Sequence, residues 1–528
     1  MRYRRVSPCK TGRDWRLLFG LRAFTESPVF IRGGMVEKER RLTVDAKIFE
    51  TLSRVMAFLS QRSVESYLTG GFVRDALLGR PSADIDIVVG GGAMRLASEL
   101  ASAFEGKYVP LDETNEIARV VLSGQRPVHI DLSTMHGSIK QDLALRDFTI
   151  DAVALDLGEI EEPSPTFVDP YGGRQDMERR LVRSISEEAF SRDPARLLRG
   201  PRLVAELGFC LDSETKAQIK RHHQLIAGVA AERVRDELCR LLVVPKAAES
   251  LRLLDELGLL LVIIPELAAT KGVQQPKEHF WDVFEHSIET VAAVEFLLRI
   301  EGSAYYAEQA LAFAPWLPEL KGYFEEEVSS GHNRKTLLKL AALLHDLAKP
   351  RTKFIDEKGK MRFLGHAKDG AAVASDIMAR LRFSSREKEM VGEMVAHHMR
   401  PGQIMGEGLP TRRAIYRYFR DTGEVGIDTI FLNLADHLAA RGPRLDLEDW
   451  QEHAQNMAYV LEERLREESI VLPSKLINGN DLIDIMGLRP GPQIGVLLEA
   501  VREAQAAGEI TTREEALSYV RQRLSSER

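Results

Sequence analysis

Cysteine is scarce in this chain: Cys9, Cys210 and Cys239 are its only three in 528 residues, and none forms a CxxC pair. That spacing excludes a disulfide framework and a cysteine zinc site, and fits a reducing, cytoplasmic home. Long apolar runs are missing as well. The longest, Leu257 to Ile264 with Gly258 inside it, falls far short of the roughly 20 residues that a membrane helix needs. Neither an internal repeat nor a low-complexity tract is present, which excludes solenoids and disordered arrays. Positive charge is also in deficit. The first 34 residues carry eight Lys/Arg against two Asp/Glu, a surplus of six, so the rest of the chain holds −13 against −7 for the whole. A body that acidic does not bind nucleic acid by bulk charge, and any RNA must find a local basic patch. The basic start has no apolar core of signal-peptide type and ends at Gly33-Gly34-Met35. It reads as a tail or as an over-called start with Met35 the initiator.

What is present describes a globular protein of three or four domains, with 44% apolar and 29% charged residues. Residues 44–60 place Ile48, Leu52, Val55, Met56 and Leu59 on a helical period. A strand at 66–68, a Gly-Gly turn, a short helix, a strand over 84–89 and a helix over 93–104 follow. Strands near 118–122, 128–132 and 150–155 complete an α/β unit. Beyond Asp176 strand signals nearly vanish, and Gly258, Pro265, Pro276, Pro350 and Pro401 punctuate a helical remainder.

The α/β unit contains GGFVRD (Gly70 to Asp75), then Asp84-Ile85-Asp86. Two residues without Cβ let backbone amides approach a triphosphate, and a helix start adds a favourable dipole. Arg74 offers a planar guanidinium to phosphate oxygens. Asp84 and Asp86, two apart on a strand, share one face and suit Mg²⁺ with nucleotide phosphates completing its shell. Asp131, in VHIDLST, is the best third carboxylate. Taken singly, a glycine turn or a DxD on an exposed strand edge is commonplace; in this order and at this spacing the pair points to nucleotidyl transfer.

On these residues the chain resembles the tRNA nucleotidyltransferase and bacterial poly(A) polymerase family, within the polymerase-β-like superfamily. LALRDFTIDAVA (Leu143 to Ala154) is similar to the family's RRDFTINA segment, which implies ribose recognition with Arg146 and Asp147 among the nucleotide-binding residues. DPYGGR (Asp169 to Arg174) resembles its hinge, RDPARLLR (Arg192 to Arg199) its base-reading element, and AERVRDEL (Ala231 to Leu238) the helix bracing that element. Asp193 and Arg196, three apart on a helix, have the acceptor and donors to read a base edge without a template, although Asp-Pro at a helix start is also a cap. The sequence departs from the pattern at Leu145, where an Arg is usual, at Asp151 for Asn, and at Arg192 for Glu. Gly200-Pro201 predicts a kink or an early helix end.

Eight arginines and five acids between Arg174 and Arg202 make that stretch locally positive. TRRAIYRYFR (Thr411 to Arg420) interleaves basic and aromatic residues; an amphipathic helix explains it better than an RNA contact. Nine of the thirteen histidines lie between His279 and His453. The order His286, His345-Asp346, His366, His397-His398, Asp436 resembles the HD metal-dependent phosphohydrolase superfamily. That implies a metal site of His286, His345, Asp346 and Asp436, holding a divalent transition metal or Mg²⁺, with His366 and one of His397 or His398 at a second metal or a phosphate. His279, His332, His437 and His453 read as surface or core. LINGNDLIDIMGLRPGPQIG (Leu476 to Gly495) resembles the C-terminal segment of HD-bearing members.

The resemblance therefore implies an α/β nucleotidyltransferase head followed by mostly α-helical neck, HD and tail domains. The segments are a tail at 1–40, head at 41–175, neck at 176–275, HD domain at 276–450 and C-terminal tail at 451–528. The activity implied is template-independent addition of CCA to tRNA 3′ ends from CTP and ATP with Mg²⁺ and release of pyrophosphate. Poly(A) addition, or addition of CC or A alone, stays open, as does a phosphohydrolase with a nucleotide-binding head.

Overall fold

The structure, a computed structural model, describes residues 43–124, 127–300, 308–405, 408–466 and 475–526. The basic start and Met35 lie outside the described residues. The chain divides into two compact units, Met1–Gly228 and Val229–Arg528.

The first unit is built on a seven-stranded sheet ordered β3-β4-β5-β2-β1-β6-β7. Its strands are β1 Ser66–Leu68, β2 Asp84–Val89, β3 Lys107–Asp112, β4 Ile117–Leu122, β5 Val128–Thr134, β6 Ala154–Asp156 and β7 Phe167–Val168. Only β2 and β5 run parallel. Helix α1 (Ala46–Ser60) starts at Asp45, whose carboxylate accepts from Lys47 N at 2.9 Å. Helix α2 (Gly70–Leu78) follows β1, and α3 (Ala93–Ala103) follows β2. Alternation on β2 sets the site: Ile85 and Ile87 are buried at 1% exposure, so Asp84 and Asp86 take the other face.

Two local expectations need correction. The strand expected at 150–155 is a 3-10 turn, Thr149–Asp151, followed by the short β6. Strand β3 was not foreseen, because KYVPLD lacks buried alternation; it lies at the sheet edge, where Pro110 is tolerated. At Gly200-Pro201 the helix α4 (Arg196–Leu207) does not end early but runs on to Leu207 with Pro201 inside it. Gly200 is needed there, since a Cβ would sit 3.1 Å from Phe148 Cζ.

The second unit is helical, with strands only in two-stranded pairs among the described residues. Its central helix α5 (Val283–Leu297) is buried along its whole length and packs against α6 (Arg334–Leu344) and α10 (Gly426–Arg441). Around them stand α7 (His366–Arg380), α8 (Ser385–His397) and α9 (Arg412–Thr422). Near the C-terminus Ile477, Leu482, Leu497, Val501, Ala516 and Val520 form a separate small core that includes α11 (Pro492–Ala506). None of the described helices is long and apolar enough to cross a membrane.

Candidate functional site

Strand register assembles the first constellation. On the parallel pair β2–β5, Asp86 faces Asp131 and Asp84 faces His129; on β4–β5, Arg119 faces Asp131. Five polar side chains thus share one face of the sheet. Asp84 is the exposed member, with its Oδ1 2.9 Å from His129 Nδ1. Asp86 is half-buried, and desolvation raises its pKa, opposed by Arg146 and reinforced by Asp131. A partly desolvated carboxylate beside a second one is a site that a cation would stabilise. Asp131 is the surprise: Arg119 holds both its oxygens, at 2.7 and 2.8 Å.

Gly70 closes the floor. It has a φ of +66°, and a Cβ there would meet Asp86 Oδ2 at 2.9 Å, so only glycine lets the α2 turn lie against the carboxylate. Arg146 reaches the same turn, donating to Thr69 Oγ1 at 3.2 Å and Asp142 Oδ2 at 3.3 Å. Arg74 is turned inward. Only 8% exposed, it donates to Asp75 at 3.0 Å and to Asp151 Oδ1 at 2.7 Å. Asp147 is buried too, accepting its neighbour's Phe148 N at 2.9 Å and lying 3.2 Å from Arg199. In the expected base-reading element, Asp193 Oδ1 accepts from Ala195 N at 3.2 Å while Oδ2 lies 3.8 Å from Arg196 Nε. Arg196 also donates to Leu145 O at 2.9 Å. Asp193 therefore lies before the helix and not on it: the N-cap position of Arg196–Leu207 is Ala195, and Asp193 meets Arg196 from the preceding turn.

The second constellation is a buried histidine–carboxylate cluster inside the helical unit. His286, on α5, lies with its Nε2 3.0 Å from Asp436 Oδ1 of α10 and 3.4 Å from Asp346 Oδ2. His345 and Asp346 directly follow α6, and their Nε2 and Oδ2 are 3.2 Å apart. His366, which opens α7, places Nε2 3.2 Å from His398 Nε2 and 3.6 Å from Asp346 Oδ1. Two groups could each hold a metal ion: His286, His345 and Asp436, and Asp346, His366 and His398.

Orientation supports that use. Nδ1 of His345, His366 and His398 each donates to a carbonyl three residues back, Ala342 at 2.8 Å, Phe363 at 2.7 Å and Val395 at 2.7 Å. This fixes the tautomer and turns the Nε2 lone pairs inward. Burial lowers the pKa of His286, and that of His398 to about 4, keeping both rings neutral. The buried Nε2 atoms of His286 and His345 and both oxygens of Asp346 lack an aligned hydrogen bond, which suits a bound divalent cation.

His398 fills the place left open between His397 and His398; His397 instead pairs with Glu393 at 3.1 Å. His332 is buried against Glu387 at 2.7 Å, and His437 and His453 stack at 4.4 Å; none of the three belongs to either metal-competent group. His279 packs its ring 5.4 Å from that of His286. Sequence reading missed Arg119 and His129, which only strand register brings to Asp131 and Asp84. It also missed Lys349, whose Nζ lies 2.6 Å from Asp346, although its i+3 spacing from a helix-end carboxylate was visible.

Helix α9 answers the question of its arginines. Arg413 bonds Glu509 at 2.7 Å, and Arg417 and Arg420 reach Glu503 and Glu499 of α11. Ile415 and Phe419 are buried, so the basic-aromatic alternation is an amphipathic helix latched to an acidic one.

With this geometry established, comparison adds relatives. Residues 66–183 match the Poly A polymerase head domain family, 208–271 the probable RNA and SrmB-binding site of polymerase A, and 283–441 the HD domain. Residues 433–520 match tRNA nucleotidyltransferase domain 2. The chain is 34% identical over 464 residues to a CC-adding tRNA nucleotidyltransferase of Thermus thermophilus, covering 86% of this chain and 93% of that one. It is 35% identical over 463 residues to an A-adding tRNA nucleotidyltransferase of Deinococcus radiodurans, covering 86% and 94%. In fold it is similar to the Thermotoga maritima CCA-adding enzyme complexed with tRNA, with a TM-score of 0.58 at 23% identity over 92% of this chain and 97% of that one.

Proposed function

The chain belongs to the tRNA nucleotidyltransferase family, and from that premise we propose that it adds nucleotides to tRNA 3′ ends, using CTP and ATP and releasing pyrophosphate. The observation that supports this reading is the sheet face beside Gly70, which Asp84, Asp86 and Asp131 share by strand register. Asp84 and Asp86, with Asp131, would hold Mg²⁺. When bound, the metal lowers the pKa of the attacking hydroxyl and neutralises charge building on the leaving pyrophosphate. The chain's own residues do the rest. Gly70 and Gly71 present backbone to the triphosphate, Arg146 lies alongside, and Asp193 with Arg196 offers complementary donors and acceptors to the base. Arg74 and Asp147 serve the nucleotide from behind, through the ion pairs that hold the pocket's walls. The domain limits of the sequence reading and a cytoplasmic location belong to the same proposal.

A second reading is favoured by one observation: the Thermus and Deinococcus relatives, which match nearly end to end, are named for CC addition and for A addition. On this reading the enzyme performs part of the sequence, and a partner enzyme performs the rest. The histidine cluster would hold divalent metal ions and act as a separate phosphohydrolase centre.

The test is incubation with Mg²⁺ and tRNA lacking its last three nucleotides or its last one, with CTP and ATP supplied separately and together. Three nucleotides added, C, C and A, is the outcome for complete addition. Arrest after two cytidines, or addition of A only to tRNA already ending in CC, selects the partial enzyme. A long A tail selects poly(A) polymerase. No incorporation, with phosphate released from nucleotides, overturns the transferase reading and moves the working centre to His345-Asp346.

A further inference from the structure

We infer that Asp151 is a positioning residue that ties the triphosphate turn to the base-reading helix, so that nucleotide affinity and base choice are coupled through one buried carboxylate. The inference rests on the proposed nucleotidyl transfer and concerns how this chain selects its substrate.

The geometry is a chain of ion pairs across three elements. Asp151 ends the turn Thr149–Asp151 and is 1% exposed. Its Oδ1 accepts from Arg74 Nη1 at 2.7 Å, and its Oδ2 accepts from Arg199 Nη2 at 3.3 Å. Arg74 sits on α2 one turn after Gly70-Gly71, and its Nη2 would lie 3.5 Å from a Cβ on Gly71. Arg199 sits on α4, one turn after Arg196, and its Nε is also 3.2 Å from Asp147 Oδ2. The two carboxylates, four residues apart, thus grip the base-reading helix through Arg199, and Asp151 alone also grips the phosphate turn.

This arrangement needs a carboxylate. An asparagine offers one acceptor oxygen and no charge, and its amide would face a guanidinium. A carboxylate buried without partners is costly, but two guanidiniums compensate it, with Arg202 and Arg146 adding to the favourable field. A triphosphate arriving at Gly70-Gly71 draws on the same Arg74. Its charge therefore acts on Asp151, and through it on Arg199 and the pose of Asp193 and Arg196. Base reading in this chain should then sense whether the phosphate site is filled.

The experiment compares the wild type with Asp151→Asn and Arg199→Met. Nucleotide addition with each of the four triphosphates and equilibrium binding of CTP and ATP are measured on the full chain. The inference expects Asp151→Asn to raise KM for the correct nucleotide about tenfold, as loss of one charge-assisted hydrogen bond would. It expects kcat to fall less than KM rises, and misincorporation of UTP and GTP to increase. Arg199→Met, at a half-exposed position that tolerates the change, should act in the same direction, and the double variant should be no worse than the more affected single one. Additive effects, unchanged selectivity, or a uniform loss of kcat that tracks a lower Tm would overturn the inference. Binding separates the two levels: selective nucleotide binding that Asp151→Asn weakens, without transfer in the wild type, defeats the transferase reading and leaves the coupling standing. Failure of the wild type to bind CTP or ATP overturns both.

Discussion

At the scale of single residues, exposure separates what a side chain does for the fold from what it does for chemistry. Asp84 is largely solvent-exposed and bonded only to His129, so it contributes little to packing. Asp84→Ala should abolish nucleotide transfer while shifting Tm by less than about 2 °C, as expected of a surface substitution; full activity in that variant would remove Asp84 from the metal site. Asp131 is more tightly engaged. Because Arg119 holds both its oxygens, Asp131→Asn and Arg119→Met should each reduce transfer, and together no more than either alone. Independent, multiplying losses would mean that Arg119 and Asp131 serve different steps. The DxD was legible in the sequence because a strand repeats every two residues, which puts both acids on one face without further information. Arg119 and His129 were not legible, since their partners lie 12 and 45 residues away and meet only once strand register is set.

Elements were legible where period and punctuation agreed. Helix α1 has its apolar stripe, and the structure keeps it over Ala46–Ser60. The turn at Thr149–Asp151 was read as a strand because its apolar residues are buried, and burial alone does not distinguish the two. Gly200-Pro201 predicts a kink or an early helix end, and the early end does not occur; the packing of Gly200 against Phe148 leaves no trace in local sequence. Helix α9 shows the same limit in its function: its apolar stripe was visible, but the acidic partners of its arginines were not, lying some 80 to 96 residues away. Those partners change the expectation for RNA. Arg413→Ala and Arg417→Ala should leave tRNA affinity within about twofold and alter stability by no more than the ~1 kcal/mol of exposed ion pairs. A filter-binding titration against salt checks this; a salt slope lowered by about one per substitution would place α9 on the phosphate backbone after all.

Across the whole molecule, the proposed carboxylate face and the metal-competent histidine cluster are built from separate residues in separate compact units, one on a sheet face and one in a helix bundle. The carboxylate face is open: Asp84 meets solvent, and its cation would arrive with the nucleotide. The histidine cluster is largely buried, with Asp436 and His366 partly exposed. His286, His345, Asp346 and His398 are all 0% exposed, and backbone carbonyls fix the tautomers of His345 and His398 from behind; imidazole-rich donors of this kind favour a transition metal over Mg²⁺. The two centres should therefore be separable by metal content and by activity. Purified protein should carry tightly bound transition metal measurable by elemental analysis. Asp346→Ala, which removes the carboxylate of one group and a neighbour 3.2 Å from His345 of the other, should strip that metal and leave tRNA nucleotide addition within about threefold, since the two centres share no residue. Asp84→Ala should do the reverse, retaining the bound metal and losing addition. If Asp346→Ala removed both, the helical unit would be supplying something that the sheet face needs for transfer, and the division of labour drawn from the two donor sets would be wrong.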